Sequence, residues 1–187
     1  MKKIVQSLLV LSCYYVYSNQ INAQTVSSGN IYTSSGEIAA IYTIHHPACF
    51  NSATGIVSFQ LMNDSFNVEW VDGSNNIIYK NLYAGDYQFS IQTDISKIFY
   101  KISLEQPEEL TGNIEQIKEG SKFQLDLSID GGVWPYTYEW SNGSNDEDLS
   151  NVDPGFYSVL IKDKNECSLS LDAKINKVEK PNFDIKN

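Results

Sequence analysis

Basic residues are scarce in this chain: 13 Lys and Arg stand against 23 Asp and Glu in 187 residues, a formal net charge of -10. That balance excludes nucleic acid and anionic lipid surfaces as partners, because both need fields of Lys and Arg. Histidine occurs only as the adjacent pair His45 and His46. A catalytic nucleophile would therefore find almost no imidazole base, and no Gly-x-Ser-x-Gly, Cys-x-x-Cys or phosphate-cradling glycine loop is present. No enzyme and no cofactor are implied. Neighbours on a strand point to opposite faces, so His45 and His46 cannot chelate one metal ion from regular strand geometry. They are expected at a solvated strand end, with no metal site. Helical periodicity is missing, and no apolar run approaches the roughly 20 residues of a membrane-spanning helix.

What is present begins with Met1-Lys2-Lys3 and the mostly apolar Ile4–Ser12, the charged and hydrophobic parts of a secretory signal. Ala23 offers the cleavage point, giving a signal peptide over 1–23; a rival reading lipidates Cys13. Loss of Lys2 and Lys3 would take the charge from -10 to -12 and leave two cysteines, Cys49 and Cys167. An exported pair of this kind is a candidate for oxidation. Residues 24–37 are Ser/Gly-rich and expected to be flexible.

Beyond residue 37, short alternating segments follow one another: Val57, Phe59, Leu61; Phe66, Val68, Trp70; Tyr87, Phe89, Ile91; and Ile98, Tyr100, Ile102, Leu104. Gln106-Pro107-Glu108-Glu109 is a polar break, and the pattern then restarts. A shift of 70 residues carries Glu69-Trp70 onto Glu139-Trp140, Gly73-Ser74-Asn75 onto Gly143-Ser144-Asn145, and Tyr87 onto Tyr157 without a gap. Phe59-Gln60-Leu61 matches Phe123-Gln124-Leu125 at a shift of 64, which implies six extra residues in the second hairpin. This is a duplication. Short strands punctuated by turns predict an all-β fold of two tandem immunoglobulin-like β-sandwiches, over 38–107 and 108–176, with a polar tail over 177–187. Trp70 and Trp140 stand where a buried strand-C tryptophan belongs. Asp153-Pro154-Gly155-Phe156-Tyr157 has the form of a tyrosine corner, with Tyr87 in the matching place. All four rings are expected to be largely buried.

The second unit resembles the SprB repeat of bacterial surface adhesins. The likeness rests on Gly131-Gly132, Pro135-Tyr136-Thr137-Tyr138, Trp140-Ser141-Asn142-Gly143, Pro154-Gly155-Phe156-Tyr157 and the Asp163–Cys167 turn. The first unit is a degenerate copy that keeps Cys49, Gly55, Trp70, Gly73, Gly85 and Tyr87. The resemblance implies a non-enzymatic, secreted or surface-displayed module for adhesion or surface contact, with a protein or glycan ligand and no membrane span. In the family pattern each repeat has one cysteine near the A–B loop and one in the F–G turn. Unit one keeps Cys49 and has Lys97 at the second place; unit two keeps Cys167 and has Asn113 near the first. With the repeats in series, the pole where the chain leaves unit one meets the pole where it enters unit two. The resemblance thus implies an inter-domain disulfide between Cys49 and Cys167.

Two further features have competing readings. Trp134, Tyr136, Tyr138 and Trp140 alternate on one face of an expected strand. The face is core if it points inward and a carbohydrate-stacking platform if it points outward; Trp134, which has Asp64 as its counterpart in unit one, and its neighbour Tyr136 are the candidate contacts. The loop Asn142, Asn145, Asp146, Glu147, Asp148 is rich in oxygen ligands, but its spacing departs from that of a calcium loop, and a solvated acidic turn is favoured over calcium.

Overall fold

The computed structural model describes residues 26–93 and 96–177. The signal expected over 1–23, with Cys13 and Ala23, lies outside the described residues, as does the tail beyond residue 177. The described residues are strand and turn with no helix, and the chain divides into two compact units between Gln106 and Pro107.

Unit one holds seven strands: β1 (Val26–Tyr32), β2 (Ile38–His45), β3 (Gly55–Leu61), β4 (Asn67–Trp70), β5 (Ile78–Leu82), β6 (Gly85–Gln92) and β7 (Lys97–Leu104). They form an antiparallel sheet in the order β1-β2-β3-β5 and a second in the order β4-β6-β7. Unit two holds β8 (Thr111–Glu119), β9 (Lys122–Asp130), β10 (Thr137–Trp140), β11 (Leu149–Val152), β12 (Gly155–Lys162) and β13 (Ser168–Ile175). Its sheets run β11-β9-β8 and β10-β12-β13. With β1 set aside, both units have one immunoglobulin-like topology, strands A, B and E in one sheet and C, F and G in the other. Among the described residues neither has a separate strand D.

Alternation explains the cores. Val57 and Phe59 on β3 meet Trp70 on β4 and Phe89 on β6, with Phe59 ring centroids 5.6 Å from Trp70 and 4.8 Å from Phe89. In unit two Leu125 and Leu127 join Trp140, Val159 and Ile161. The two tryptophans are 3 % and 2 % exposed, as expected. Each indole donates to a carbonyl six residues on, Trp70 to Asn76 at 2.8 Å and Trp140 to Asp146 at 2.9 Å. Turns repeat as well: Gly73 N donates to Trp70 O and Gly143 N to Trp140 O, both at 2.9 Å, with both glycines at positive φ. Tyr87 and Tyr157 depart from the expectation, since each is only half-buried. Each ring packs on its core while the hydroxyl reaches out to a carbonyl four residues upstream, Tyr83 O at 3.0 Å and Asp153 O at 2.9 Å. Corner tyrosines must keep one end at the surface to make that bond.

Three expectations are corrected by strand pairing. Residues 26–32, expected to be flexible, form β1 and pair with β2 from Val26↔His45 to Tyr32↔Ile38. A polar Ser/Gly composition does not prevent a full backbone ladder, and Ile31 buries itself against the core. Gly29 has a local reason: a Cβ there would lie 2.5 Å from the Tyr42 hydroxyl, so glycine leaves room for that ring. Second, the B strands do not align at a shift of 64. Val57 pairs with Tyr79 and Leu125 with Leu149, while Gly55 pairs with Leu82 and Phe123 with Val152. Phe123 is thus the counterpart of Gly55, and Phe59 that of Leu127. The shift is 68, and unit two has two extra residues before β10 rather than six. Asn113 accordingly lies within β8, not near the A–B turn, which falls between Glu119 and Lys122. Third, the strand expected over 134–140 begins only at Thr137. Gly131 and Gly132 both take positive φ and Pro135 has no N–H to donate, so the segment before Thr137 is loop.

Candidate functional site

The β9–β10 loop, Gly131 to Tyr136, carries the most exposed tryptophan of the described residues: Trp134 is 77 % exposed. The loop is held from several sides. Gly132 N donates to Glu108 O at 3.0 Å and Lys164 N to Val133 O at 2.8 Å. The Tyr136 hydroxyl donates to Gly131 O at 2.6 Å, so this half-buried ring supports the loop rather than extending its outer surface. Gly131 has no substitute, because a Cβ would sit 1.9 Å from Glu109 O.

Asp163 is the centre of this arrangement. The residue is 3 % exposed, and its carboxylate accepts three backbone N–H groups: Val133 at 2.9 Å, Asn165 at 2.7 Å and Cys167 at 2.9 Å. One side chain closes the β12–β13 turn and fastens the β9–β10 loop to it. In unit one the matching residue is Thr93, also buried, whose hydroxyl, among the described residues, bonds within its own turn, at Ser96. The sequence shows the Asp163–Cys167 turn but not this role of Asp163. An aspartate two residues before Asn165 and four before Cys167 is a turn signal; the bond to Val133, 30 residues away in sequence, is not visible there.

The remaining aromatics of the series are not a platform. Trp140 is core and Tyr138 is half-buried, with burial and then the Glu147 carboxylate raising its pKa. In the acidic loop, Asp148 accepts Leu127 N at 2.8 Å and Asn142 accepts Ser144 N at 3.1 Å. Asp146 accepts the Ser144 hydroxyl at 3.0 Å. These oxygens are spent on the fold. Among the described residues no group of three or more His, Cys, Asp or Glu is placed to hold a metal ion.

His46 corrects the expectation of a solvated strand end. It is 8 % exposed, its Nδ1 accepts Glu105 N at 2.9 Å, and its Nε2 lies 3.1 Å from Ser27 Oγ. An Nδ1 that accepts a backbone N–H carries no proton, so the neutral ring has its proton on Nε2 and donates to Ser27. The arrangement is the reverse of a Ser–His catalytic pair, in which Nε2 must accept. Burial holds the His46 pKa below the ordinary imidazole range, with Glu105 opposing and His45 adding to the shift. Cys49, in the loop after β2, and Cys167, at the end of the β12–β13 turn, are both disulfide-bonded.

No protein-family model matches the chain, and no curated protein matches it. Among solved structures, it is similar to a 282-residue C-terminal fragment of intimin, determined in complex with the intimin-binding domain of its translocated receptor. Identity there is 12 %, the TM-score is 0.38, and the match covers 82 % of this chain and 59 % of that one. It is also similar to extracellular domains 3–5 of Drosophila OTK, at 11 % identity and a TM-score of 0.29, covering 82 % of this chain and 71 % of that one. The chain thus spans less than two thirds of the intimin fragment. The fold assignment rests on the sheet order above.

Proposed function

We propose that the chain is a non-enzymatic, secreted or cell-surface module for adhesion or surface contact, of the SprB-repeat kind its second unit resembles. The supporting observation is Trp134, an exposed indole on a loop fixed by hydrogen bonds to Asp163, Glu108 and Lys164. Large rigid aromatics that need no ordering on association are the usual energetic centres of protein interfaces. Gly131 O, Gly132 N and the Val133 N and O are engaged in holding the loop. What it offers outward is chiefly the apolar series Val133-Trp134-Pro135, suited to a pocket on a partner protein. The exported setting is supported by the leader sequence and the oxidised cysteines, and Cys49 paired with Cys167 belongs to the same proposal.

A photo-crosslinking amino acid at position 134, compared with one at exposed Ile117, tests the reading on intact producing cells and their contact surfaces. Capture of the same protein from position 134 alone, with binding weakened at least tenfold by Trp134→Ala at unchanged melting temperature, is expected. Equal capture at both positions, or binding indifferent to Trp134→Ala, would refute it.

A further inference from the structure

A second surface of unit two sets charged and hydroxyl side chains beside an exposed ring. On the outer face of the β10-β12-β13 sheet, register sets Phe156 opposite Lys174 and Ser158 opposite Asp172. Ser141, just past β10, joins Ser158 through Ser141 N to Ser158 O at 2.8 Å and Ser158 N to Ser141 Oγ at 3.1 Å. Side chains alternate across a strand, so Phe156 and Ser158 point outward together, as do Asp172 and Lys174. These residues line an open cleft of roughly 640 Å³, a size suited to a small ligand. Phe156 is 77 % exposed, and Lys174 Nζ lies 5.1 Å from its ring centroid. Among the described residues neither Asp172 nor Lys174 enters an ion pair with a side chain of opposite charge.

Unit one provides an internal contrast. The matching cleft there, of about 440 Å³, has Asp86 where unit two has Phe156. Its two carboxylates are occupied: Asp86 accepts Ser103 Oγ at 2.6 Å and Lys101 Nζ at 2.9 Å, and Asp72 accepts the Tyr79 hydroxyl at 2.6 Å. Unit two has lost that network and gained a ring.

We infer that the Phe156 cleft is a binding site for a neutral pyranoside unit of a glycan. The Phe156 ring provides a face for the apolar C–H side of the sugar. Asp172 accepts from hydroxyl groups, Lys174 donates to oxygen, and the Ser141 and Ser158 hydroxyls serve either role. Asp172 and Lys174 bring one charge of each sign to the cleft, which matches a neutral ligand rather than a sulfated or uronic one. The site is separate from the Trp134 loop and does not depend on the reading given to it.

The isotope-labelled full chain, titrated with neutral gluco-, galacto-, manno- and xylo-oligosaccharides, provides the test. At least one oligosaccharide is expected to shift the amide resonances of Ser141, Phe156–Ser158 and Asp172–Lys174. Phe156→Ala and Asp172→Asn should each weaken that binding about tenfold or more, Phe156→Tyr should retain it, and Trp134→Ala should leave it unchanged. Phe156 is exposed, so its replacement should not unfold the unit, and the melting temperature checks this. Absence of shifts with every sugar, shifts centred on residues 133–135, or an affinity unaltered by Phe156→Ala and Asp172→Asn would each overturn the inference.

Discussion

Replacing Asp163 probes the device that fixes the β9–β10 loop. Its buried carboxylate accepts three backbone N–H groups at 2.7–2.9 Å. Hydrogen bonds to a charged group contribute about 1.5–3 kcal/mol each. Val133, Asn165 and Cys167 are only partly buried, so water can reach their amides once the carboxylate is gone. The three contributions therefore do not add in full, and Asp163→Ala is expected to cost about 3 kcal/mol. For a unit of this size that lowers the melting temperature by about 12–24 °C, at roughly 4–8 °C per kcal/mol. Asp163→Asn should cost about half as much. Its carbonyl oxygen can still accept from Asn165 and Cys167, but its amide group then faces the Val133 N–H donor to donor. Amide hydrogen exchange separates the two: Val133 should lose protection in both variants, and Cys167 only in the alanine variant. Stability within about 1 kcal/mol of the parent for Asp163→Ala, or unchanged Val133 exchange in both, would refute the reasoning.

His46 should make unit one sensitive to acid. Its folded pKa is lowered, mainly by burial, so its contribution to stability is complete above the unfolded imidazole value of about 6.5 and is lost as pH falls through that value towards the folded one. Melting followed from pH 8 to pH 5 should show a decline that His46→Phe flattens, and a parallel decline in both proteins would exclude His46 as its source. Gly131→Ala should destabilise unit two by several kcal/mol, since it combines a positive φ with a 1.9 Å approach to the Glu109 carbonyl; a melting temperature near that of the parent would show that the 108–110 segment yields. Non-reducing peptide mapping should recover the residue 49 and residue 167 peptides as one cross-linked species. Its reduction should lower stability by up to about 4–5 kcal/mol in the chain-entropy model for a loop of more than a hundred residues, whereas separate peptides would break the proposed pairing.

Features with short-range causes were legible in the sequence. Alternation placed Val57, Phe59, Trp70, Phe89 and Ile91 in the core, because a strand's side-chain period is two whatever it pairs with. Tyr83-Ala84-Gly85-Asp86-Tyr87 and its repeat contain both partners of the corner bond, and the Trp-Val-Asp-Gly and Trp-Ser-Asn-Gly turns close on themselves. The gapless shift of 70 holds throughout β4, β6, β10 and β12 for the same reason. Tertiary structure decided whatever depended on a partner far along the chain. The Phe-Gln-Leu identity suggested a shift of 64, but pairing with β5 and β11 set it at 68, since register answers to which side chains must be buried. Residues 26–32 lack an apolar pattern and became a strand because the edge of β2 has N–H and C=O groups to satisfy. His46 and Asp163 look like surface polar residues in the sequence. They are buried because Glu105 and Ser27 in one case, and Val133 in the other, arrive from distant segments with the hydrogen bonds that make burial affordable.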